Sequence, residues 1–443
     1  MTSKQPLKDD KFQVIISDQP AKNRNSKTYF SPMKNLISIL ILLLSMGYTQ
    51  AQNNTFDQDK LKEDLDEVIS DIENHYVYLR EKNIDLDCIK KHYQEQLPQV
   101  KNKADAILFF ESLLNELYDS HIHLNTAIKS SYRLIAPIYT TVQNGKNIVS
   151  NVWQTQIAPL KTDIAGAEIL KFNGLPFSEA IDNFPSLCLD KADNEIREWV
   201  ANKVLAGKYN EPRILSLKLT NNKVIELDLD KINTKSEDQL LTSRVENEIG
   251  IIRVNNALGT NRLIAEFDKA LDGLMTTKGL IIDLRNTAGG GNSYVARGIM
   301  SRFINKDLPY QKHVAFDESW DSQARVGRSW VEYVSPRGKT YQQPVVVLVG
   351  RWTGSMGEGL AIGFEGMERA EIVGSEMGRL AGAMYNFGFK HQSFGYSISK
   401  EKMYHLNGTA REKYVPTNYV NQTTIMEDQF LSKAMSLLHN SAQ

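Results

Sequence analysis

Val345-Val346-Val347-Leu348-Val349-Gly350-Arg351-Trp352-Thr353-Gly354-Ser355-Met356-Gly357-Glu358 reads as a buried strand that ends in a small-residue turn and delivers a serine to the start of a helix. Five β-favouring apolar residues in a row suit a parallel strand covered on both faces. Ile251-Ile252-Arg253-Val254, Gly279-Leu280-Ile281-Ile282-Asp283-Leu284 and Glu371-Ile372-Val373 have the same character. Helical stretches separate these runs around 262–275, 293–304, 356–368 and 426–438, so residues 246–438 are expected to form an α/β sheet with helices on its faces. Residues 305–343, with Trp320 and Trp330, read as irregular and are a candidate lid.

Upstream, the character changes twice. Between 130 and 232 the chain shows short strands and turns: Asn144-Gly145 marks a hairpin, and Leu215–Leu219 and Ile225–Leu229 alternate as half-buried strands do. Residues 231–243 are polar and read as a linker. Residues 53–128 are mainly helical, with Leu61, Leu65, Val68, Ile69, Ile72 and Tyr76 on one stripe and Ile107, Phe110, Leu114 and Leu117 on another. Further back, Met33-Lys34-Asn35, an apolar run from Leu36 to Leu44 and a small residue at Ala51 have the form of a secretory signal peptide over 33–51. The run is too short for a membrane span, which needs about 20 residues. Residues 1–32 are then a polar extension ahead of a true start at Met33. The mature chain is expected to begin near Gln52 and to be exported.

The 443 residues are 41% hydrophobic and 24% charged, an ordinary globular composition long enough for two or three domains. Lys+Arg 52 against Asp+Glu 53 carries no nucleic-acid footprint. Two cysteines, Cys88 and Cys188, exclude a disulfide-rich scaffold and a cysteine-based zinc site; whether they bridge is open.

Three segments carry candidate chemistry. At the strand–helix junction, Ser355 is either an N-cap or an exposed nucleophile beside free helix N–H groups. The G-x-S-x-G elbow is incomplete, because position 353 is Thr. Asp283-Leu284-Arg285-Asn286-Thr287-Ala288-Gly289-Gly290-Gly291-Asn292 fits neither a dinucleotide fingerprint nor a phosphate loop, leaving a plain turn or an oxyanion-binding one. Ser120-His121-Ile122-His123 places two histidines at period two, as metal ligands can be. The remaining six histidines show no ligand-like spacing, so no metal and no other cofactor is expected.

Together these segments resemble the tail-specific (C-terminal processing) serine peptidases, in the branch of the tricorn core and the retinoid-binding photoreceptor protein. Gly279–Arg285 with its glycines, Thr353–Glu358 and Arg369–Gly374 are similar to that family's core strand, nucleophile segment and following strand, in the same order. The resemblance implies an α/β catalytic domain of the ClpP/crotonase-like type, a PDZ-like β-rich domain over 130–232 and an N-terminal helical region. Arg379 stands where one branch has a lysine base, and a guanidinium does not deprotonate near neutral pH. The resemblance therefore implies the other arrangement: Ser355 as nucleophile, His121 as base, and Ser120 and Glu412 orienting the relay. The N–H of Met356 and that of Gly289 or Gly290 would hold the oxyanion. Lys413 and Thr417 depart from the family pattern around Glu412. Peptides or protein tails are the implied partners. The alternatives are a non-catalytic binding protein on the same fold and a metal-dependent hydrolase built on His121 and His123.

Overall fold

The computed structural model describes residues 57–235, 238–318 and 325–441, and the described residues from Gln58 onward fall in one compact unit. The polar extension 1–32, the signal-peptide segment 33–51 and Trp320 lie outside the described residues. No helix among the described residues is long and apolar enough to cross a membrane.

The described residues open with three helices, α1 (Gln58–His75), α2 (Leu86–Gln96) and α3 (Lys103–Asn115). Asp85 caps α2 by accepting from Cys88 N–H, and Asn102 caps α3 through Ala104 and Asp105 N–H. The α1 stripe Leu61, Leu65, Val68, Ile69 and Ile72 is buried, as its spacing requires. A two-residue strand, β1 (His123–Leu124), follows.

The next sheet is built from β2 (Ile138–Gln143), β3 (Lys146–Val152), β4 (Glu168–Phe172), β5 (Leu175–Pro176), β6 (Ile214–Lys218) and β7 (Val224–Asp228). Two helices, α4 (Phe177–Asp182) and α5 (Asn194–Ala206), interrupt it. Its order is β2-β3-β4-β6-β7, with β5 on β4. The β2–β3 turn has Asn144 and Gly145 both at positive φ (52° and 75°), the conformation that asparagine and glycine tolerate best. Val149, Ile169, Leu215 and Leu217 form its core with Ile181, Val200 and Leu205 of the helices. The β2 edge is closed from within: Asn202 of α5 accepts from Thr140 N–H (2.9 Å) and donates to Thr140 C=O (2.9 Å).

The largest layer contains β8 (Leu241–Glu246), β9 (Ile249–Asn255), α6 (Arg262–Asp272), β10 (Gly279–Asn286), α7 (Ser293–Met300), β11 (Leu308–Glu318), β12 (Arg325–Val334), β13 (Val345–Val349), α8 (Met356–Gly366), β14 (Glu371–Gly374), β15 (Ala383–Gly388), β16 (Gly395–Tyr404), β17 (Asn418–Tyr419) and α9 (Gln429–Ser441). The sheet order is β17-β14-β13-β10-β9-β8, parallel except for β8. Alternate residues serve opposite faces: Leu280 and Ile282 meet Leu263, Val295 and Leu360 of α6–α8, whereas Ile281 meets Phe430, Ala434 and Leu438 of α9. This two-sided covering explains why β10 and β13 are buried along their whole length.

The remaining strands correct one expectation. Residues 305–343 are not irregular: β11 and β12 pair antiparallel as a long hairpin and join β16 and β1 in a third sheet, with β15 also on β16. Gly363 of α8 lets β11 approach, since a Cβ there would lie 3.0 Å from the Tyr310 ring. A Cys88–Cys188 disulfide ties α2 to the segment ahead of α5.

Candidate active site

The site forms where β10 and β13 end, the edge of a parallel sheet at which backbone groups are free to meet ligands. After β13, Thr353 closes its turn with N–H to Gly350 C=O (2.8 Å) and Oγ1 to Leu284 C=O (3.0 Å). Gly354 N–H then donates to Thr287 C=O (3.2 Å), locking the two strand ends together. Ser355 has φ 50° and ψ −110°, a strained conformation for a residue with a side chain. Its N–H donates to Glu358 Oε2 (2.8 Å), one turn into α8. Ser355 is thus an N-cap held in a tight elbow, half-buried against the glycine turn. A Cβ on Gly290 would come within 2.5 Å of Ser355 Cβ and 3.1 Å of its Oγ.

The glycines expected to hold an oxyanion are otherwise engaged in this conformation. Gly289 N–H donates to Asn256 Oδ1 (2.6 Å), and Gly290 N–H closes a turn onto Thr287 C=O (3.0 Å). Met356 supplies the first N–H of α8, where a helix lacks internal acceptors.

His121 lies in the turn between α3 and β1. Its N–H donates to Asp119 Oδ1 (2.9 Å), and Asp119 Oδ2 accepts from Tyr76 Oη (2.9 Å). The buried imidazole places Nδ1 2.9 Å from Ala381 C=O. A carbonyl can only accept, so Nδ1 carries the proton and Nε2 keeps its lone pair. Burial, followed by the nearby charge of Arg411, pushes the His121 pKa down to about 3, so the ring is neutral over the working range of most proteins. His123 Nδ1 sits on the His121 carbonyl (2.9 Å), so the two rings do not converge. Among the described residues, no group of three or more His, Cys, Asp or Glu is arranged to hold a metal ion.

Residues 378–382 connect the pieces. Gly378 N–H donates to Thr353 C=O (2.8 Å), Leu380 N–H to Glu358 Oε2 (3.2 Å), and Ala381 C=O meets His121. Glu358 is fully buried; burial raises its pKa to about 7 against the pull of Arg411 and its two N–H bonds. Glu412, in the single 3-10 turn Arg411–Lys413, is also raised by burial. It lies beside the Tyr78 hydroxyl, yet Glu412 Oε2 and Tyr78 Oη are both buried without a hydrogen-bond partner.

The structure does not join every expected member. Ser120 is exposed, and no hydrogen bond links it to His121 or Glu412. None links Ser355 Oγ to His121. Arg379 is exposed and paired with Glu376 (3.4 Å). Glu358 and Arg411 are functional candidates that only the structure singles out; the S-x-x-E spacing from Ser355 is a readable signal for Glu358, and nothing in the sequence marks Arg411.

Two further groups support the turn. Arg253 and Arg285 hold the Asp283 carboxyl far below the carboxylate range despite its burial, and Arg285 makes a two-pronged bond to Asp428 (2.7 and 2.9 Å). From the β2–β7 region, Tyr139 lies under the Arg351 guanidinium, 4.2 Å from ring centre to charge.

Residues 248–420 match the model of peptidase family S41, and residues 57–115 match that of the tricorn protease C1 domain. Among solved structures, mature CPAF complexed with lactacystin is 13% identical over 87% of this chain and 98% of its own, with a TM-score of 0.57. The photosystem II D1 C-terminal processing protease is 16% identical over 88% and 98%, with a TM-score of 0.51. A putative peptidase from Parabacteroides merdae is 14% identical over 85% and 96%, with a TM-score of 0.50. At these identities the likeness is one of fold. No curated protein matches the chain.

Proposed function

This chain belongs to the tail-specific peptidase family S41 and is a serine-type peptidase, and from that premise we propose that it cleaves peptides or unfolded protein tails through an acyl-enzyme on Ser355. The observation that carries the assignment is Ser355 itself, strained at φ 50°, at a helix start, with its side chain against the glycine turn. Ser355 Oγ attacks the scissile carbonyl carbon and His121 Nε2 accepts its proton. The carbonyl oxygen becomes the oxyanion, received by Met356 N–H and, once the turn releases it, the N–H of Gly289 or Gly290. Collapse of the tetrahedral intermediate expels the amine, which takes the proton from His121. Water then attacks the acyl group, with His121 again as base. Glu412 acts on this relay through its charge, and Ser120 completes it when substrate orders the turn.

In the same reading, the β8–β17 layer is a ClpP/crotonase-like domain and residues 130–232 are a PDZ-like domain that presents the substrate. The protein is exported after cleavage of the segment 33–51. The Cys88–Cys188 disulfide supports export, because such bonds persist in oxidising compartments.

A second reading, a non-catalytic binding protein on this fold, draws support from the engaged N–H groups of Gly289 and Gly290. A peptide-library digest read by mass spectrometry separates the two. The chain from Gln52 should cleave and its Ser355→Ala variant should not. Cleavage that persists in the variant overturns the assignment to Ser355, and no cleavage by either chain favours the binding protein.

A further inference from the structure

Arg411 is 3% exposed and begins a single helical turn, yet among the described residues no carboxylate lies within ion-pair distance of it. Its Nη2 instead donates to two main-chain carbonyls, Leu380 (2.9 Å) and Gly382 (2.6 Å). Its Nε is buried without an acceptor. Between the two gripped carbonyls lies Ala381, whose own carbonyl takes His121 Nδ1 (2.9 Å) and Ser399 Oγ (2.6 Å). With both neighbouring carbonyls held by charge-assisted bonds, the backbone on either side of Ala381 is fixed, which restricts the directions its own carbonyl can take.

We infer that Arg411 is a positioning residue for the general base, fixing His121 as the Nδ1–H tautomer by clamping the carbonyls on either side of Ala381. The inference deepens the proposed mechanism and rests on His121 being its base. A buried guanidinium with no direct counter-charge is expensive to keep. Here its charge falls on three groups of the site at once, opposing protonation of His121 and favouring the charged forms of Glu358 and Glu412. The charged or titratable groups that face His121 are Arg411 from the helical turn, His123 from its own segment and Asp119, which holds its N–H. Arg411 therefore acts in two ways: its Nη2 brackets the Ala381 carbonyl by holding the carbonyls on either side, and its charge adds to burial in keeping the ring neutral.

The test is long-range ¹H–¹⁵N correlation of the imidazoles in wild type, Arg411→Lys and Arg411→Gln, with His121→Gln to assign the resonance. In wild type, His121 is expected as a single neutral Nδ1–H tautomer from pH 8 down to 5. In Arg411→Gln it should show mixed tautomers, and its titration should move up by about one unit, because a neighbouring like charge has been removed. Arg411→Lys should keep the low titration but lose the single tautomer, since the lysine nitrogen ends one bond short of Nη2 and is not held in the guanidinium plane. The peptidase kcat in Arg411→Lys should fall about tenfold with KM within about twofold. Wild-type tautomer and titration in Arg411→Gln overturn the inference. If that variant does not fold, a wild-type tautomer ratio in Arg411→Lys does so instead. The imidazole spectra need no turnover, so failure of the Ser355→Ala digest would remove the peptidase mechanism and leave this result readable.

Discussion

Trp352, three residues ahead of Ser355, lies face to face with Trp153 of the neighbouring sheet region, ring centroids 5.1 Å apart and planes 4° from parallel. Each indole is anchored across the boundary. Trp352 Nε1 donates to Ala136 C=O (3.0 Å), and Trp153 Nε1 donates to Arg285 C=O (3.0 Å) and Asn286 Oδ1 (3.0 Å). The nucleophile turn is therefore buttressed by residues some 200 positions earlier, and the two halves of the molecule are mechanically joined at that point.

Trp153→Ala should lower stability by about 2–4 kcal/mol, somewhat below the roughly 3–5 kcal/mol for a fully buried aromatic because Trp153 is half-buried. Urea unfolding measures it. Catalysis should suffer mainly in kcat, because the elbow loses its backing while substrate contacts remain. An unfolding midpoint equal to that of wild type would mean the stack does not support the turn.

Two buried titratable groups of the site, His121 and Glu358, depend on pH in opposite directions. His121 is depressed to about 3 from an ordinary 6.5, so its contribution to stability is complete above about 6.5 and declines as pH falls from there towards 3. Glu358 is raised to about 7 from 4.5, so its contribution is complete below about 4.5 and is lost as pH rises through 7. Ionised Glu358 holds the Ser355 and Leu380 N–H groups more strongly, so kcat/KM should rise through an inflection near pH 7. Glu358→Gln should flatten that inflection; a variant profile that keeps it assigns the titration to another group.

Gly290→Ala places a methyl group 2.5 Å from Ser355 Cβ at a φ of +63°. Labelling of Ser355 by a fluorophosphonate should slow by more than about 100-fold, the order reached when active-site geometry is displaced by an ångström. Gly145→Ala is the control: its φ is +75° but nothing lies within 4 Å, so it should cost about 1 kcal/mol of stability and leave labelling unchanged. Equal labelling of both variants would contradict the close packing of Ser355 on Gly290.

Asn202→Ala removes both partners of the Thr140 peptide group on the β2 edge. The expected cost is about 1–3 kcal/mol, the penalty for leaving buried backbone groups unpaired. Hydrogen exchange at the Thr140 amide should accelerate. If exchange there is unaltered, the amide clamp is not what protects that edge.

Much of the fold was legible because parallel strands buried on both faces must be unbroken apolar runs: β9, β10 and β13 could be read directly. The β11–β12 hairpin was not, because its pairing relies on polar neighbours. His313 lies between Glu401 (3.0 Å) and Glu332 (3.4 Å) with Trp330 stacked on it, a pattern with no apolar alternation to betray a strand. Within the site, Ser355 and Glu358 were local signals. Arg411 was invisible because its partners are main-chain carbonyls, which leave no mark on side-chain identity. Whether Cys88 and Cys188 meet depended on packing between regions 100 residues apart.

That disulfide also governs how the chain would respond to being cut. Cys88–Cys188 encloses 99 intervening residues, including the turn that carries His121. A single nick anywhere in that stretch would leave both fragments covalently attached. A nicked molecule would still run as one species on a non-reducing gel and would separate into two only after reduction. For a protein expected to meet peptidases, its own copies included, the crosslink makes a severed backbone survivable.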